Sequence, residues 1–207
     1  MRLKNVKGAD KVIENCDSVI KNPERYKGKY KDIFKNDNPI CLEIGMGKGD
    51  FIINMAMHFK NINFIGIEMY DSVMVRAVEK LDSVIPNLRF IKVDATNIEE
   101  IFDKEIDTLY LNFSDPWPKN RHEHRRLTCH RFLKRYDSIF KGKKVIVQKT
   151  DNRGFFEYSL KSLTDYNYKI DEISLNLHNS DIFNIETEYE RKFSNKGYPI
   201  YMVKMIK

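Results

Sequence analysis

A glycine-rich segment, residues 43–49 (EIGMGKG), follows the first strongly apolar run of the chain, residues 40–44. Glycine lets the backbone turn sharply and approach a ligand, and a helix that begins after such a turn offers its N-terminus to that ligand. The pattern through Gly45 and Gly47 is G-x-G-x-G, which differs from the dinucleotide-binding G-x-G-x-x-G. By itself it predicts either a nucleotide-cofactor loop or only a tight turn from strand to helix.

Acidic residues stand at the ends of the first three predicted strands: Glu43, Glu68 and Asp94. Glu68 comes 21 positions after Gly47, where a carboxylate suits a ribose diol, and Asp94 could meet an adenine amino group. Each of these two acids could also be a solvent-facing strand end. Glu43 lies inside an apolar run, where a charge needs a partner or a ligand. Three acids suit a cationic cofactor better than an anionic pyrophosphate, so they favour S-adenosylmethionine over NAD.

A stiff loop follows the fourth predicted strand: residues 113–119 (FSDPWPK), in which two prolines flank Trp117, the only tryptophan. Asp115 stands where a substrate would meet the cofactor. The alternative is a rigid surface loop with Asp115 capping a turn. Trp117 could stack on a flipped base or pack beneath the loop.

The most basic stretch of the chain directly follows that loop. Residues 119–135 hold seven Lys or Arg and one acid, Glu123, so their net charge is +6, equal to that of the whole chain. Three of the five histidines also lie there. Such a patch beside an active site favours binding of a phosphate backbone, although a solvated helix face is the usual fate of charge runs. No thiol or carboxylate pair completes a metal site, so no metal is predicted.

Two later polar segments complete the candidate set: Asp151 after the fifth predicted strand, and residues 187–190 (TEYE) before the last one. Alone, Asp151 is a helix N-cap candidate and residues 187–190 a polar loop. With Asp115, they bring acids and hydroxyls to one sheet edge. Carboxylates accept well from the N1 and N2 donors of guanine.

The elements that must position these groups alternate between strands and helices, which predicts an α/β fold with a mostly parallel sheet and helices on both faces. We predict a basic N-terminal extension over residues 1–38 and one domain over residues 39–207. The extension is predicted to be solvated and to hold a short helix; the alternative is an arm that touches nucleic acid. The predicted helices include 51–59, 72–84, about 126–140 and 155–163. The predicted strands are 40–44, 62–68, 88–93, 106–113, 143–149, 170–177 and 198–205.

Composition excludes several classes of protein. The chain has 207 residues, is 42% hydrophobic and 32% charged, and so is neither disordered nor in need of disulfides. No run approaches ~18 apolar residues, which predicts no membrane span. The N-terminus lacks the apolar core of a signal peptide, and the three cysteines form no C-x-x-C, so we expect a cytoplasmic protein.

From Pro39 onward the chain resembles the bacterial tRNA (guanine-N7-)-methyltransferase family. The resemblance is carried by residues 113–119 with Arg121, His122 and residues 125–127, by residues 149–151, by residues 187–190 with 199–201, and by the cofactor motifs at 43–49 and 65–68. It implies a Rossmann-like, S-adenosylmethionine-dependent class I fold with seven strands, the last antiparallel. It also implies methylation of guanine 46 in the variable loop of tRNA.

The resemblance also assigns roles by position, with Asp115 as the catalytic residue. The implied cofactor contacts are Glu43, Gly45, Gly47, Glu68, Asp94 and Asp115. The implied substrate contacts are Lys119, Asp151, Thr187, Glu188, Tyr189 and Glu190. The implied RNA contacts are Arg121, His122, Glu123, His124, Arg125 and Arg126. Ser114, His124 and Lys143 depart from residues common in the family, and His124 removes one full charge from the RNA strip at neutral pH.

Other functions remain open on the residues alone. A methyltransferase of the same fold could act on another RNA, a protein or a small molecule, although the basic stretch argues against the last two. A non-catalytic RNA-binding protein is a further alternative, and a dinucleotide-dependent oxidoreductase is more distant. The sequence is compatible with a monomer or a homodimer.

Overall fold

The computed structural model describes residues 6–207, and these contain a seven-stranded sheet. Across the sheet the strand order is β3-β2-β1-β4-β5-β7-β6; neighbours among β1 to β5 are parallel, and β7 is antiparallel to both its neighbours. The predicted fold class, with an antiparallel last strand, is confirmed. The strands are β1 (Ile40–Ile44), β2 (Asn63–Glu68), β3 (Leu88–Lys92), β4 (Ile106–Asn112), β5 (Phe140–Thr150), β6 (Lys169–Ser174) and β7 (Tyr201–Ile206).

Helices cover both faces of the sheet, and two of them are shorter than the sequence predicts. The helix predicted from about residue 126 begins at His130, because residues 120–125 form a separate 3₁₀ helix. The helix predicted over 72–84 ends at Val78, before the turn-favouring Asp82 and Ser83. The α-helices are α1 (Ala9–Glu14), α2 (Tyr30–Phe34), α3 (Asp50–His58), α4 (Asp71–Val78), α5 (Ile98–Ile101), α6 (His130–Ile139), α7 (Arg153–Asp165) and α8 (Glu188–Ser194).

The core lies on both sides of the sheet because successive strand side chains point to opposite faces. In β1, Leu42 and Ile44 pack with α5, α6 and α7, whereas Cys41 packs with α1, α3 and α4. Burial on both faces explains why β1 and β2 are continuous apolar runs rather than alternating ones.

The N-terminal segment packs against this sheet. Val19 bridges Phe90 of β3, and Ile20 N donates to the Phe90 carbonyl at 2.9 Å, so residues 18–20 cover the free edge of that strand. Tyr30 is fully buried and Ala9 is 4% exposed. The prediction of a solvated segment is therefore wrong for its buried apolar residues, which are Ala9, Ile13, Val19, Ile20, Tyr30 and Phe34, whereas Val12 and Tyr26 are exposed. Residues 1–5 lie outside the described part, and the domain boundary at 38 stays a prediction.

The topology brings the candidate residues to one edge. The carboxyl ends of β1 to β5 meet there because these strands are parallel. β7 runs the other way, so its beginning, Tyr201, lies opposite the end of β5, Thr150. The segment before β7, which includes residues 187–190, is thereby returned to the edge that carries Asp115 and Asp151.

Candidate active site

A cavity of about 830 Å3 opens at the carboxyl ends of β1 to β4. That volume is within the range of small-molecule sites. Its lining combines acids with cations and aromatic side chains. The lining includes Gly45, Glu68, Tyr70, Asp94, Thr96, Phe113, Ser114, Asp115, Trp117, His124, Arg125, Arg131 and Phe132.

Glu68 lines the cavity and accepts three backbone hydrogen bonds. One of its carboxylate oxygens accepts from Gly47 N at 3.2 Å, and the other accepts from Met69 N and Tyr70 N at 2.9 and 3.1 Å. Burial raises the pKa of Glu68, and these backbone donors oppose the rise. Gly45 and Gly47 have φ values of 74° and 58°, which glycine adopts without the steric cost of a Cβ. The glycine segment and the end of β2 are thus joined through one carboxylate.

Glu43, in β1 two residues before Gly45, is 2% exposed and does not itself line the cavity. Its Oε1 accepts from Asn112 Nδ2 at 2.8 Å, while its buried Oε2 has no hydrogen-bond partner within residues 6–207. Burial raises the pKa of Glu43 to about 7, although the Asn112 bond and the charge of Lys149 lower it. Buried polar atoms are normally hydrogen-bonded, so this oxygen is available to accept a hydrogen bond from a ligand.

Asp94 is held as a cap at the end of β3. Its carboxylate accepts from both the backbone N and the Oγ1 of Thr96, each at 2.8 Å. It lies on the cavity wall and is partly exposed, as an adenine contact requires.

The loop after β4 places Asp115 at the cavity, with its side chain exposed. The loop is held close to β5 because Phe113 N donates to the Lys149 carbonyl at 2.8 Å. Phe113 and Trp117 have φ values of 51° and 42°, a left-handed conformation that costs non-glycine residues energy and concentrates at functional sites. Ser114 Oγ, next to Asp115, is buried without a partner among the described residues.

Glu190 lies at the centre of a buried polar cluster behind the site. It is fully buried, and its carboxylate accepts from Lys149 Nζ at 2.7 Å and from Asn184 Nδ2 at 2.6 Å. His178 Nε2 is 3.1 Å away. Lys149 Nζ also donates to the Ile185 carbonyl at 2.9 Å. Glu190 therefore anchors the segment before β7, and its predicted substrate contact is not evident in this arrangement.

None of residues 187–190 lines the cavity, but Tyr189 packs on Phe113, which does. Thr187 caps α8, accepting from Glu190 N at 2.9 Å in a capping box. Glu188 pairs with Lys48 of the glycine segment at 2.7 Å. The Tyr189 hydroxyl is 3.5 Å from Asp151 Oδ2, and its ring centroid is 5.1 Å from that of Phe113.

Asp115 belongs to the same electrostatic neighbourhood. Burial raises the pKa of Tyr189, with Asp151 and Asp115 contributing further. The joint contact of Asp115, Asp151 and Tyr189 with a substrate stays a prediction.

The basic segment, residues 119–135, begins with a 3₁₀ helix, Asn120–Arg125, and several of its residues line the cavity. Lys119, Arg121, Glu123, His124 and Arg125 are exposed, and His122 is half-buried with its ring edge-on to Trp117 at 5.6 Å. The guanidinium of Arg125 lies over the Trp117 ring at 4.9 Å. Trp117 thus contacts His122 and Arg125 and also lines the cavity. Its stacking on a base stays a prediction.

Several residues of the site escaped the sequence analysis. Asn112, which donates to Glu43, was hidden at the end of an apolar strand, although a buried amide there needs a partner and could have been noticed. Tyr70, Thr96, Arg131 and Phe132 reach the cavity from element ends, and nothing in their spacing indicates it.

Structural likeness supports the class that this arrangement defines. The structure of an antibiotic-related methyltransferase superposes with a TM-score of 0.65 at 16% identity, covering 87% of this chain and 92% of that one. The sheet order, the antiparallel β7 and the cavity at the strand ends define a class I S-adenosylmethionine-dependent methyltransferase.

The family follows from the sequence relatives. A family model described as "Putative methyltransferase" matches residues 37–203. The tRNA (guanine-N(7)-)-methyltransferase of Bacillus licheniformis is 50% identical over 207 residues, covering 98% of this chain and 97% of its own. That of Bacillus velezensis is 53% identical over 195 residues, covering 93% and 90%. The chain belongs to the tRNA (guanine-N(7)-)-methyltransferase family.

The site fits the cofactor of this class. S-adenosylmethionine carries cationic groups and amino donors, and the unpartnered Oε2 of Glu43 with the acids Glu68 and Asp94 suits them. Within residues 6–207, no helix is both long and apolar enough to cross a membrane. Nor do these residues gather three or more His, Cys, Asp or Glu side chains where they could hold a metal ion.

Proposed function

We propose that this protein transfers the methyl group of S-adenosylmethionine to N7 of guanine in tRNA, at position 46 of the variable loop. The observation that carries the proposal is one juxtaposition. The cavity that carries Glu68 and Asp94 is also lined by Asp115 and by His124 and Arg125 of the exposed basic segment. The names of relatives at about 50% identity along nearly the whole chain support the tRNA substrate.

Glu43, Glu68 and Asp94 would hold the cofactor, which supplies a methyl group on a positively charged sulfur when bound. Glu68 already bridges the glycine segment and the end of β2, so the acceptors are oriented before binding. Preorganised acceptors cost little reorganisation at the moment of reaction.

Guanine N7 carries an in-plane lone pair and no proton, so the chain needs no general base. The work of the protein is orientation and electrostatics. The carboxylate of Asp115 would hold the base at the cavity mouth and stabilise the positive charge that reaches the purine. Asp151, Tyr189 and Thr187 would contact the base from the neighbouring segments, and Lys119 from the end of the Asp115 loop.

The basic segment would bind the tRNA backbone. Its exposed cations are free to meet phosphates, which contribute affinity without reading sequence. We infer that the protein works in the cytoplasm with its tRNA substrate; its state as a monomer or a homodimer stays a prediction.

The deciding experiment uses tritiated S-adenosylmethionine with unmodified tRNA transcripts that carry guanine or adenine at position 46. The labelled tRNA is digested and the labelled nucleoside identified. We expect label in 7-methylguanosine from the first transcript and none from the second. Label in another nucleoside would overturn the substrate assignment. Cofactor binding without transfer to any tRNA would favour a protein or small-molecule substrate, and no cofactor binding would favour a non-catalytic RNA-binding protein.

A further inference from the structure

Two adjacent arginines of the basic segment differ in burial and in their partners. Arg125 is exposed, whereas Arg126 is half-buried and turned back toward the loop that carries Asp115. Arg126 Nε donates to the Pro116 carbonyl at 3.0 Å and to the Trp117 carbonyl at 3.3 Å, and its Nη2 donates to the same Trp117 carbonyl at 2.9 Å. The two carbonyls belong to the residues that directly follow Asp115.

The other contact of Arg126 is with α7. Its guanidinium lies over the Tyr158 ring, 4.2 Å from the centroid. Arg126 thus connects the Asp115 loop to a helix that packs against the sheet. A charged donor bonded to carbonyls is among the stronger hydrogen-bonding arrangements, and a cation on an aromatic face adds to it.

We propose that Arg126 is a positioning residue for the methyl-transfer reaction, which holds Asp115 in place through the Pro116 and Trp117 carbonyls. The proposal rests on the proposed function and deepens it. It replaces, for this one residue, the RNA contact predicted from the sequence. Arg125, which is exposed and lies over the Trp117 ring, keeps its predicted phosphate contact.

The loop needs such a clamp because it is strained. Trp117 has a φ of 42°, and a strained conformation persists only when its surroundings hold it. A planar guanidinium reaches two carbonyls and an aromatic face at once, whereas the ammonium of lysine is a compact point charge. Arg126→Lys therefore keeps the charge and removes the clamp.

The test compares Arg126→Lys and Arg126→Ala with the same substitutions at Arg125. Both Arg126 variants should lose kcat on the order of 10²-fold, because a small displacement of a reacting group has that effect. Their KM for tRNA and the salt dependence of binding should stay near the wild-type values. Arg125→Ala should raise KM and lower the slope of log affinity against log salt by about 1, and Arg125→Lys should restore that slope. Arg76→Lys, on the exposed face of α4, is the matched control.

A second readout does not depend on activity. Trp117 is the only tryptophan, so its fluorescence reports on this loop alone. Arg126→Lys should raise the acrylamide quenching of Trp117, and Arg76→Lys should leave it unchanged. Should Arg126→Ala fail to fold, Tyr158→Leu removes the aromatic face of the same clamp and should shift kcat and quenching in the same direction.

Three outcomes would overturn the proposal: wild-type kcat in Arg126→Lys, a loss of kcat with unchanged Trp117 quenching, or a loss of salt slope in Arg126→Ala that lysine restores. The last would make Arg126 a phosphate ligand. Failure of the wild-type protein to methylate tRNA would instead count against the proposed function, and the quenching would still decide whether Arg126 holds the loop.

Discussion

At the scale of single residues, the carboxylates of the site differ in their surroundings. Asp115 is exposed at the cavity, whereas Glu43 is buried and has one oxygen without a partner among the described residues. Exposure suits a group that meets an incoming base, and burial suits one that meets an enclosed cationic cofactor. The two carboxylates should therefore respond differently to substitution and to pH.

For Asp115→Asn we expect turnover to fall far more than cofactor affinity. The amide keeps the shape but removes the charge that we propose stabilises the transition state, so we expect a loss of roughly 10²–10³-fold in kcat. The measurements are single-turnover methylation and S-adenosylmethionine binding by calorimetry. Asp165→Asn on α7, an exposed acid in a surface pair, is the control. Equal losses in turnover and affinity would contradict the assigned role.

Glu43 should make stability depend on pH. Burial raises its pKa from 4.5 to about 7; Lys149 and Asn112 lower it, and Glu68 and Asp50 add to the rise. The folded protein then binds a proton more tightly than the unfolded chain, so this group makes the free energy of unfolding fall as pH rises from 4.5 to about 7.

Between pH 5 and pH 8, Glu43 should lower the free energy of unfolding by about 2–3 kcal/mol. Glu43→Gln should remove this effect, because glutamine does not titrate and can still accept from Asn112. Urea unfolding of both proteins at pH 5 and pH 8 measures the difference. A wild-type minus variant difference that is constant with pH would contradict the raised pKa.

At the scale of elements, α8 is joined to the end of β5 by the buried pair of Lys149 and Glu190. Their side chains are 4% and 0% exposed. Lys149→Met leaves a buried carboxylate without its cation, and we expect it to destabilise the protein by about 3–5 kcal/mol.

Two variants check the Lys149 prediction by chemical denaturation. Replacing both partners, as Lys149→Met with Glu190→Leu, should recover much of the loss, since no uncompensated charge remains. Lys161→Met, which breaks an exposed pair on α7, should cost only about 0.3–0.5 kcal/mol. A loss at Lys149 as small as at Lys161 would show that the buried pair does not anchor the segment.

The contact of the glycine segment with α4 should tolerate no added methyl group. A Cβ on Gly49 would lie 2.8 Å from Ala77 Cβ, and its φ is +78°. Gly49→Ala should therefore cost the left-handed penalty of about 1–2 kcal/mol and an overpacking penalty of about 1–3 kcal/mol. Gly197→Ala is the control for the left-handed penalty alone, because Gly197 has a φ of +81° and an added Cβ there would have no neighbouring atom within 4 Å. Equal melting temperatures for the two variants would contradict the clash.

At the scale of the whole molecule, the net charge of +6 is concentrated beside the cavity, in residues 119–135. Arg121→Ala with Arg125→Ala should lower the slope of log affinity against log salt by about 2, since each phosphate contact contributes about 1. Filter binding of tRNA across a salt series measures the slope. Lys161→Ala with Arg76→Ala removes equal charge from other surfaces and should change it little; an equal change would mean that binding follows net charge alone.

By itself the sequence determined the seven strands, the glycine segment and the acids at the strand ends, because these depend on local pattern. Apolar runs, glycines and charges after strands indicate an α/β sheet with a site at its carboxyl edge, whatever the long-range contacts. The same residues carried the resemblance to the family, which the sequence relatives confirm.

Only the tertiary structure decided how those residues are partnered. Glu190 and Arg126 are of the same residue types as their exposed neighbours Glu188 and Arg125, so the local sequence does not distinguish them. Yet Glu190 is buried against Lys149, 41 positions away, and Arg126 turns back to the carbonyls of the Asp115 loop. The apolar residues of the N-terminal segment pack on the sheet because β3 has a free edge, which exists only once the strands are ordered. Partners far apart in the chain leave no periodic signal, so burial and pairing at these positions follow from the fold and not from local pattern.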